Sequence, residues 1–186
     1  KTQFELTGIF TGVPDSSDLW KRYRCVFNHY LDVKDTPSLE VAKVIRAMEI
    51  DIAIDLSGHT EGSRLEVLSH RPAPVQATYL GFPGTLGLSF IDYLIADPRI
   101  IPTELQHHYR EKVLYLPHCY LPRDISVVPF PETPKRIDFG LPETGVVFCS
   151  FNHDYKINPP VFNVWMDLLK QVPSSVLWLM KLNDGA

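Results

Sequence analysis

The sequence has no long hydrophobic run and no excess of positive charge. None of its apolar segments approaches the ~20 residues that a helix needs to span a membrane. The formal net charge is -4, and the lysines and arginines are scattered along the chain. A nucleic-acid backbone is usually bound by clustered basic residues. We therefore expect neither a membrane nor a nucleic acid among the partners.

Cysteine is scarce, and its spacing excludes the common cysteine-based sites. Cys25, Cys119 and Cys149 are far apart and odd in number, which argues against a disulfide framework or a structural zinc site. His107 and His108 are adjacent on a predicted helix, where neighbouring side chains point about 100° apart and cannot easily share a metal. We expect no bound metal, no cofactor and a reducing, cytoplasmic compartment.

Short apolar segments alternate with helical patterns along most of the chain. The clearest helix is TPSLEVAKVIRAMEI, whose apolar residues recur at i, i+3 and i+4 and whose N-cap is Thr36 or Ser38. Helices are also predicted near Asp18 and in SRLEVLSH, PTELQHHY and PPVFNVWMDLLKQV. Alternating strands and helices predict a parallel α/β sheet covered on both faces. The predicted strands are FELTGIF, CVFNHYLDV, IDIAIDLSG, PVQATYLG, FIDYLIAD, EKVLYLP, GVVFCSFN and SVLWLM.

Proline and charge interrupt this pattern in the last third of the chain. Residues 123–144 show no clear period and are predicted to be a linker or crossing segment. We therefore predict an N-terminal lobe at 1–122 and the start of a second lobe at 145–186. The abrupt first and last strands indicate a fragment of a longer protein.

Polar residues follow several predicted strands, where parallel α/β sheets collect their ligands. His29 could relay a proton, or it could be a satisfied histidine at a strand end. Lys156 could reach a phosphate beside a helix N-terminus, or it could be a solvated loop lysine. The turn GFPGTLG fits neither common phosphate-binding spacing, so a plain tight turn also explains it. The other candidates of this kind are Ser57, Gly58, His59, Thr60, His118, Asn152, His153 and Tyr155.

Two long stretches resemble one enzyme family. DLSGHTEGSRLEVLSHRPAPVQATYLGFPGTLGLSFIDYLIAD resembles the catalytic region of the O-linked N-acetylglucosaminyltransferases, a family that includes plant SPINDLY-type enzymes and bacterial relatives. FCSFNHDYKINPPVFNVWMDLLKQVPSSVLWLM resembles the start of that family's second lobe. The resemblance implies a GT-B fold of two Rossmann-like lobes. It also implies inverting, metal-independent sugar transfer, usually from UDP-GlcNAc, to Ser or Thr of proteins, with TPR repeats elsewhere in the chain.

The resemblance also implies roles for individual residues. Lys156 matches a lysine that contacts the donor diphosphate and stabilises the departing UDP. His29 matches a histidine near the reacting sugar, which implies substrate positioning or proton handling. Leu80, Gly81 and Pro83 match the turn that packs near the sugar and the acceptor.

The donor contact departs from the family pattern at one position. Asn152 and His153 lie where relatives contact the nucleotide, but His153 replaces a glutamine or asparagine. A neutral histidine also donates and accepts a hydrogen bond, so the contact can survive, while the donor could instead be GDP-fucose or UDP-glucose. The family's main nucleotide pocket lies beyond Ala186, so we expect this chain alone to be inactive. A non-catalytic scaffold of the same fold is the alternative.

Overall fold

The computed structural model describes residues 3–12, 17–123 and 134–180. The chain divides into two compact units, Lys1–Arg123 and Asp124–Ala186. Part of the predicted linker, residues 124–133, lies outside the described residues. The rest of it is not featureless, because a 3-10 helix at Arg136–Phe139 ends on Gly140, which has a φ of 66°.

Short strands and helices alternate in both units. The first unit contains β1 (Thr7–Phe10), α1 (Asp18–Arg24), β2 (His29–Asp32), α2 (Ser38–Ala47), β3 (Ile52–Asp55), α3 (Glu66–Ser69), β4 (Val75–Tyr79), β5 (Tyr93–Ala96), a 3-10 helix (Thr103–His108) and β6 (Lys112–Tyr115). The second unit contains the 3-10 helix at Arg136–Phe139, β7 (Val147–Ser150), a 3-10 helix (Asp154–Lys156), α4 (Pro159–Gln171) and β8 (Val176–Leu179).

All strand pairs among the described residues are parallel. β1 pairs with β2, and β3, β4, β5 and β6 form a four-stranded sheet in that order. In the second unit β7 pairs with β8, and helix α4 lies in the connection between the two strands. The predicted α/β class with parallel βαβ units is therefore confirmed.

The four-stranded sheet is covered unequally on its two faces. On one face Gln76 and Leu94 are 0% and 2% exposed. On the other face Ile52 and Ile54 of β3 are 56% and 50% exposed. Ala77 of β4 lies on that same face and is 3% exposed, so the expectation of a sheet covered on both faces is met at β4 but not at the edge strand β3.

Helix α2 buries the apolar stripe that its sequence predicts. Val41, Ala42 and Ile45 are 1–5% exposed and pack with Val33 and Val67. This cluster joins α2 to α3 and to the residue that follows β2. The periodicity of the sequence was sufficient here because the helix buries a single face.

The predicted N-cap of α2 is wrong. Pro37 occupies the N-cap position, and no side chain caps the helix there. The hydroxyl of Ser38 instead donates to Glu66 at 2.9 Å and accepts from Arg64 at 2.9 Å. Arg64 also donates to the carbonyl of Thr36 at 2.7 Å. A distant arginine thus holds the residues around the start of α2, but as a donor it cannot accept from the free N–H groups of the helix as a capping side chain would.

Three predicted elements are shorter or of another type. PTELQHHY forms a 3-10 helix at Thr103–His108, and SRLEVLSH forms only one helical turn, α3. The first residues of the predicted strand CVFNHYLDV are not strand, because Cys25 ends α1. Asn28 then exchanges hydrogen bonds with the backbone of Leu6, and the ladder begins only at His29.

Neighbouring isoleucines test the core that lies beside β5. Ile101 is 0% exposed and packs with Leu94 and Ala96, whereas Ile100 is 42% exposed. We expect Ile101→Ala to lower the free energy of unfolding by about 2–5 kcal/mol, because it leaves a cavity. Ile100→Ala should change it by less than about 0.5 kcal/mol. Urea unfolding of both variants measures the difference, and equal losses would contradict this core.

Candidate active site

The loops after β3 and β4 meet tightly at the carboxyl edge of the four-stranded sheet. A Cβ atom on Gly81 would lie 2.3 Å from the carbonyl oxygen of Leu56 and 2.9 Å from that of Ser57. Only glycine fits at such a distance. The preceding residue, Leu80, has a φ of 74°, which is unusual for a bulky side chain. The predicted site residues Leu80 and Gly81 therefore hold a backbone conformation that the neighbouring loop imposes.

Side chains from both loops lock this contact. Asp55 accepts hydrogen bonds from the N–H of Gly58 at 2.6 Å and from the hydroxyl of Thr78 at 3.3 Å. The ring of His59 lies edge-on to Phe82, with 5.5 Å between centroids. Nε2 of His59 lies 3.0 Å from the carbonyl oxygen of Leu86. Because a carbonyl only accepts, Nε2 carries the hydrogen, and His59, whose role the sequence left open, ties the two loops together.

The connection from β4 to β5, residues 80–92, crosses the sheet without a helix. Its apolar side chains, Leu86 and Ile91, are buried against Leu65 and Leu68. A helix would satisfy its own backbone polar groups, but an irregular segment needs other partners for them. We call residues 80–92 the crossover segment.

A buried carboxylate supplies partners in the middle of the crossover segment. Glu111 is 3% exposed. One of its oxygens accepts from the N–H groups of Leu86 at 2.9 Å and Gly87 at 3.0 Å. The other accepts from the hydroxyl of Thr85 at 2.6 Å. Nothing in the spacing of the sequence marked Glu111, because its partners lie 24–26 residues away.

Two side chains hold the far end of the crossover segment. Nε2 of Gln76, which is 0% exposed, donates to the carbonyl of Phe90 at 2.6 Å and to that of Leu68 at 2.9 Å. Arg71 donates to the same carbonyl of Phe90 at 3.0 Å and to Asp92 at 2.9 Å. The stretch RPAPVQ, which the resemblance singled out, thus carries two of the groups that fix this connection.

Asp97 fixes the segment that follows β6. One oxygen of Asp97 accepts from the N–H groups of Arg99 at 2.8 Å and Ile100 at 3.0 Å. The other accepts from the N–H of Tyr120 at 2.8 Å, and the hydroxyl of Tyr79 donates to the carbonyl of Tyr120. The hydrogen bond from Tyr120 is the main reason that the pKa of the Asp97 carboxyl is lowered. Asp97 precedes Pro98 in the sequence, and an aspartate before proline is a turn signal.

The structure corrects the position of His29. His29 is the first residue of β2, so it lies at the amino end of that strand, and the expectation that it follows a carboxyl end is wrong. Its Nε2 lies 2.6 Å from a carboxylate oxygen of Glu5, and its side chain is 51% exposed. The strand begins late because the preceding residues belong to the end of α1 and the turn after it. Among the described residues, the hydrogen bonds of His29 outside the strand ladder are with Glu5 and Leu6 and not with the turn at Gly81.

The second unit presents an exposed polar group between β7 and α4. Asn152 and His153 follow β7 and lead into the 3-10 helix at Asp154–Lys156. The rings of His153 and Tyr155 stack at 5.5 Å and 18°. Lys156 is exposed, and its side chain forms no hydrogen bond or ion pair with any residue that the structure describes.

Helix α4 begins directly after this lysine. Asn158 caps the helix by accepting from the N–H of Val161 at 3.1 Å. Pro159 stands at the first helical position, where its missing N–H costs nothing. The 13-residue helix therefore places a partial positive charge near Lys156. Together they form a place where an anionic group is favoured.

Within the described ranges no three His, Cys, Asp or Glu side chains are grouped to hold a metal ion. None of the described helices is long and apolar enough to cross a membrane. His107 and His108, with ring centroids 3.9 Å apart, stay on the short 3-10 helix without a third ligand among these residues.

Comparison with known proteins identifies the family. The model of "Glycosyl transferase family 41" matches residues 9–130 and 132–185. This chain belongs to glycosyl transferase family 41. It is 41% identical over 172 residues to a probable UDP-N-acetylglucosamine–peptide N-acetylglucosaminyltransferase SEC of Arabidopsis thaliana, which covers 90% of this chain and 18% of that protein. It is 37% identical over 147 residues to the SPINDLY protein of the same plant, over 78% of this chain and 16% of that one.

A solved structure has the same fold. A mutant of the O-GlcNAc transferase of Thermobaculum terrenum matches 94% of this chain with a TM-score of 0.80 and 29% identity. The match covers 32% of that chain. The predicted GT-B type α/β fold of this family 41 member is thereby confirmed, as is the resemblance to the family. The chain spans less than a fifth of the plant relatives' length and about a third of the bacterial one.

Acid unfolding tests the role of Asp97. Its folded pKa is lowered, so the charged carboxylate contributes stability above its unfolded pKa, and this is lost as the pH falls through the folded pKa. Asp97→Asn keeps one acceptor oxygen but cannot accept from Tyr120. We expect the variant to be less stable at neutral pH and its stability to fall less steeply below about pH 4. Urea unfolding between pH 2.5 and 7 measures both, and parallel pH profiles would contradict this role.

Proposed function

We propose that this chain is part of the catalytic region of an inverting, metal-independent glycosyltransferase. In this proposal it moves GlcNAc from UDP-GlcNAc to Ser or Thr side chains of proteins. The names of the SEC and SPINDLY proteins describe UDP-GlcNAc–peptide transfer, which supports this donor and acceptor class. The observation that carries the proposal is the exposed Lys156, placed between β7 and the N-terminus of α4.

Lys156 has the chemistry that the leaving group needs. In the reaction an acceptor hydroxyl oxygen bonds to the anomeric carbon, and the bond from that carbon to the diphosphate oxygen breaks. The electron pair leaves with UDP, whose negative charge grows in the transition state. An ammonium group and a helix N-terminus that face this charge stabilise it without a metal ion. The hydroxyl proton passes to a base, and proton handling by His29 stays a prediction.

The remaining site residues divide between the two substrates. Asn152 and His153 are exposed beside Lys156 and can donate and accept hydrogen bonds with the nucleotide sugar. Gly81 and Pro83 are exposed on the strained turn after β4 and are assigned to the sugar and acceptor side. Strained backbone of this kind is concentrated at functional sites.

Lys156→Ala tests the proposal directly. In the longest polypeptide that carries this chain, we expect the transfer of labelled GlcNAc to a protein acceptor to fall by about 10²–10³-fold, because the leaving diphosphate loses its cation. Lys170→Ala is the matched control. Lys170 is exposed on α4, and within the part of the chain that the structure describes its ion pair is with Asp167 at 3.2 Å, so its removal should leave the rate unchanged. Near-normal transfer by Lys156→Ala would refute the role. No binding heat with UDP or UDP-GlcNAc would instead favour the scaffold.

Chelation tests the metal-independent part of the proposal. If the ammonium of Lys156 supplies the charge, EDTA should leave the transfer rate within about twofold of its starting value. Added Mg²⁺ or Mn²⁺ should not restore activity to Lys156→Ala. A rate that collapses in EDTA and recovers with either ion would show that a metal carries the charge.

A further inference from the structure

We propose that Glu111 is a positioning residue for the acceptor, which acts by fixing the crossover segment and with it the turn at Leu80–Pro83. This rests on the proposed function, in which that turn contacts the acceptor. Glu111 itself lies directly before β6, and among the described residues its hydrogen bonds to the segment are those with Thr85, Leu86 and Gly87.

The surroundings of Glu111 show why its partners matter. A carboxylate that is 3% exposed is costly to bury unless it is paired or fully hydrogen-bonded. Among the described residues no lysine, arginine or histidine forms an ion pair with it. All of its recorded donors are groups of residues 85–87. The compensation for burying this charge is therefore available only when the crossover segment has this one conformation.

Few residues separate the part of the crossover segment that Glu111 holds, residues 85–87, from the turn at Leu80–Pro83. Thr85 also accepts from the N–H of Arg110 at 3.3 Å, so the hydroxyl is held on both sides. The hydroxyl of Tyr109 donates to the carbonyl of Pro83 at 3.4 Å. A Cβ atom on Gly84 would lie 2.9 Å from the ring of Phe82, which leaves little slack between Pro83 and Thr85. Release of residues 85–87 would therefore displace the turn.

Conservative substitution separates hydrogen bonding from charge at Glu111. In Glu111→Gln the amide oxygen can accept from the N–H groups of Leu86 and Gly87. The amide nitrogen can donate to the hydroxyl oxygen of Thr85 in place of the longer hydrogen bond from the N–H of Arg110. In Glu111→Ala the hydroxyl of Thr85 and the N–H of Leu86 lose their partner, and the N–H of Leu86 is left buried, while the N–H of Gly87 keeps the hydroxyl of Thr85 at 3.1 Å. The glutamine variant should therefore keep the turn in place, and the alanine variant should not.

The test measures both Michaelis constants in the longest polypeptide that carries this chain. We expect Glu111→Ala to raise KM for a protein acceptor by about tenfold or more and KM for UDP-GlcNAc by less, because in the proposed function the turn meets the donor's sugar but not its nucleotide. Glu111→Gln should return the acceptor KM to within about threefold of the starting value. Glu104→Ala, which removes an exposed carboxylate nearby in sequence, is the control and should change neither constant. Hydrogen exchange at Leu86 and Gly87 should accelerate in Glu111→Ala only.

Several outcomes would overturn the inference. An unchanged acceptor KM in folded Glu111→Ala would do so, as would an equal rise in both Michaelis constants, which indicates general destabilisation. If Glu111→Ala does not fold, Thr85→Val keeps the carboxylate but removes its bond from the hydroxyl, together with the two bonds that the hydroxyl accepts from Gly87 and Arg110, and should still raise the acceptor KM by about threefold. If the unsubstituted protein transfers no sugar, the proposed function fails and so does the acceptor role. Accelerated exchange limited to residues 81–92 would then still assign Glu111 to the turn.

Discussion

The first unit depends on a connection that crosses a parallel sheet without forming a helix. Parallel strands need a long crossover, and a helix normally supplies it because it satisfies its own backbone. The crossover segment buries Leu86 and Ile91 but has no helical hydrogen bonds of its own. Its polar groups are therefore matched one by one by side chains from elsewhere, chiefly Glu111, Gln76 and Arg71. The fold therefore requires each of these side chains, because the irregular segment does not satisfy its own backbone polar groups.

The same constraint explains how the candidate residues of the two units differ. In the first unit the turn proposed to meet the acceptor is a backbone surface, and its shape at Leu80 and Gly81 is maintained by neighbouring groups. In the second unit the proposed donor contacts are exposed side chains at and before a short 3-10 helix, and Lys156 needs only to be placed before α4. Substitution of buried groups should therefore affect the turn of the first unit more than it affects Lys156.

The sequence pattern predicted those features that depend on residues close together in the chain. The stripe of α2 followed from periodicity, because the helix buries the one face that the sequence displays. The family resemblance located Lys156. Residues whose partners are distant in sequence were not found. Ser38 could not be seen to pair with Arg64, and the bonds of Asn28 to Leu6, which delay β2 and relocate His29, span 22 residues. The sequence pattern did not indicate Glu111 for the same reason, since its partners lie 24–26 residues away.

The turn GFPGTLG shows how a motif can be specific without following a known phosphate-binding spacing. Gly81 is required because the carbonyls of Leu56 and Ser57 leave no room for a Cβ atom. Gly87 is required because its φ is 68° and its N–H must reach Glu111. Both glycines are therefore required by the packing of the crossover segment. The packing that needs them also sets the backbone that, in the proposed function, the acceptor meets.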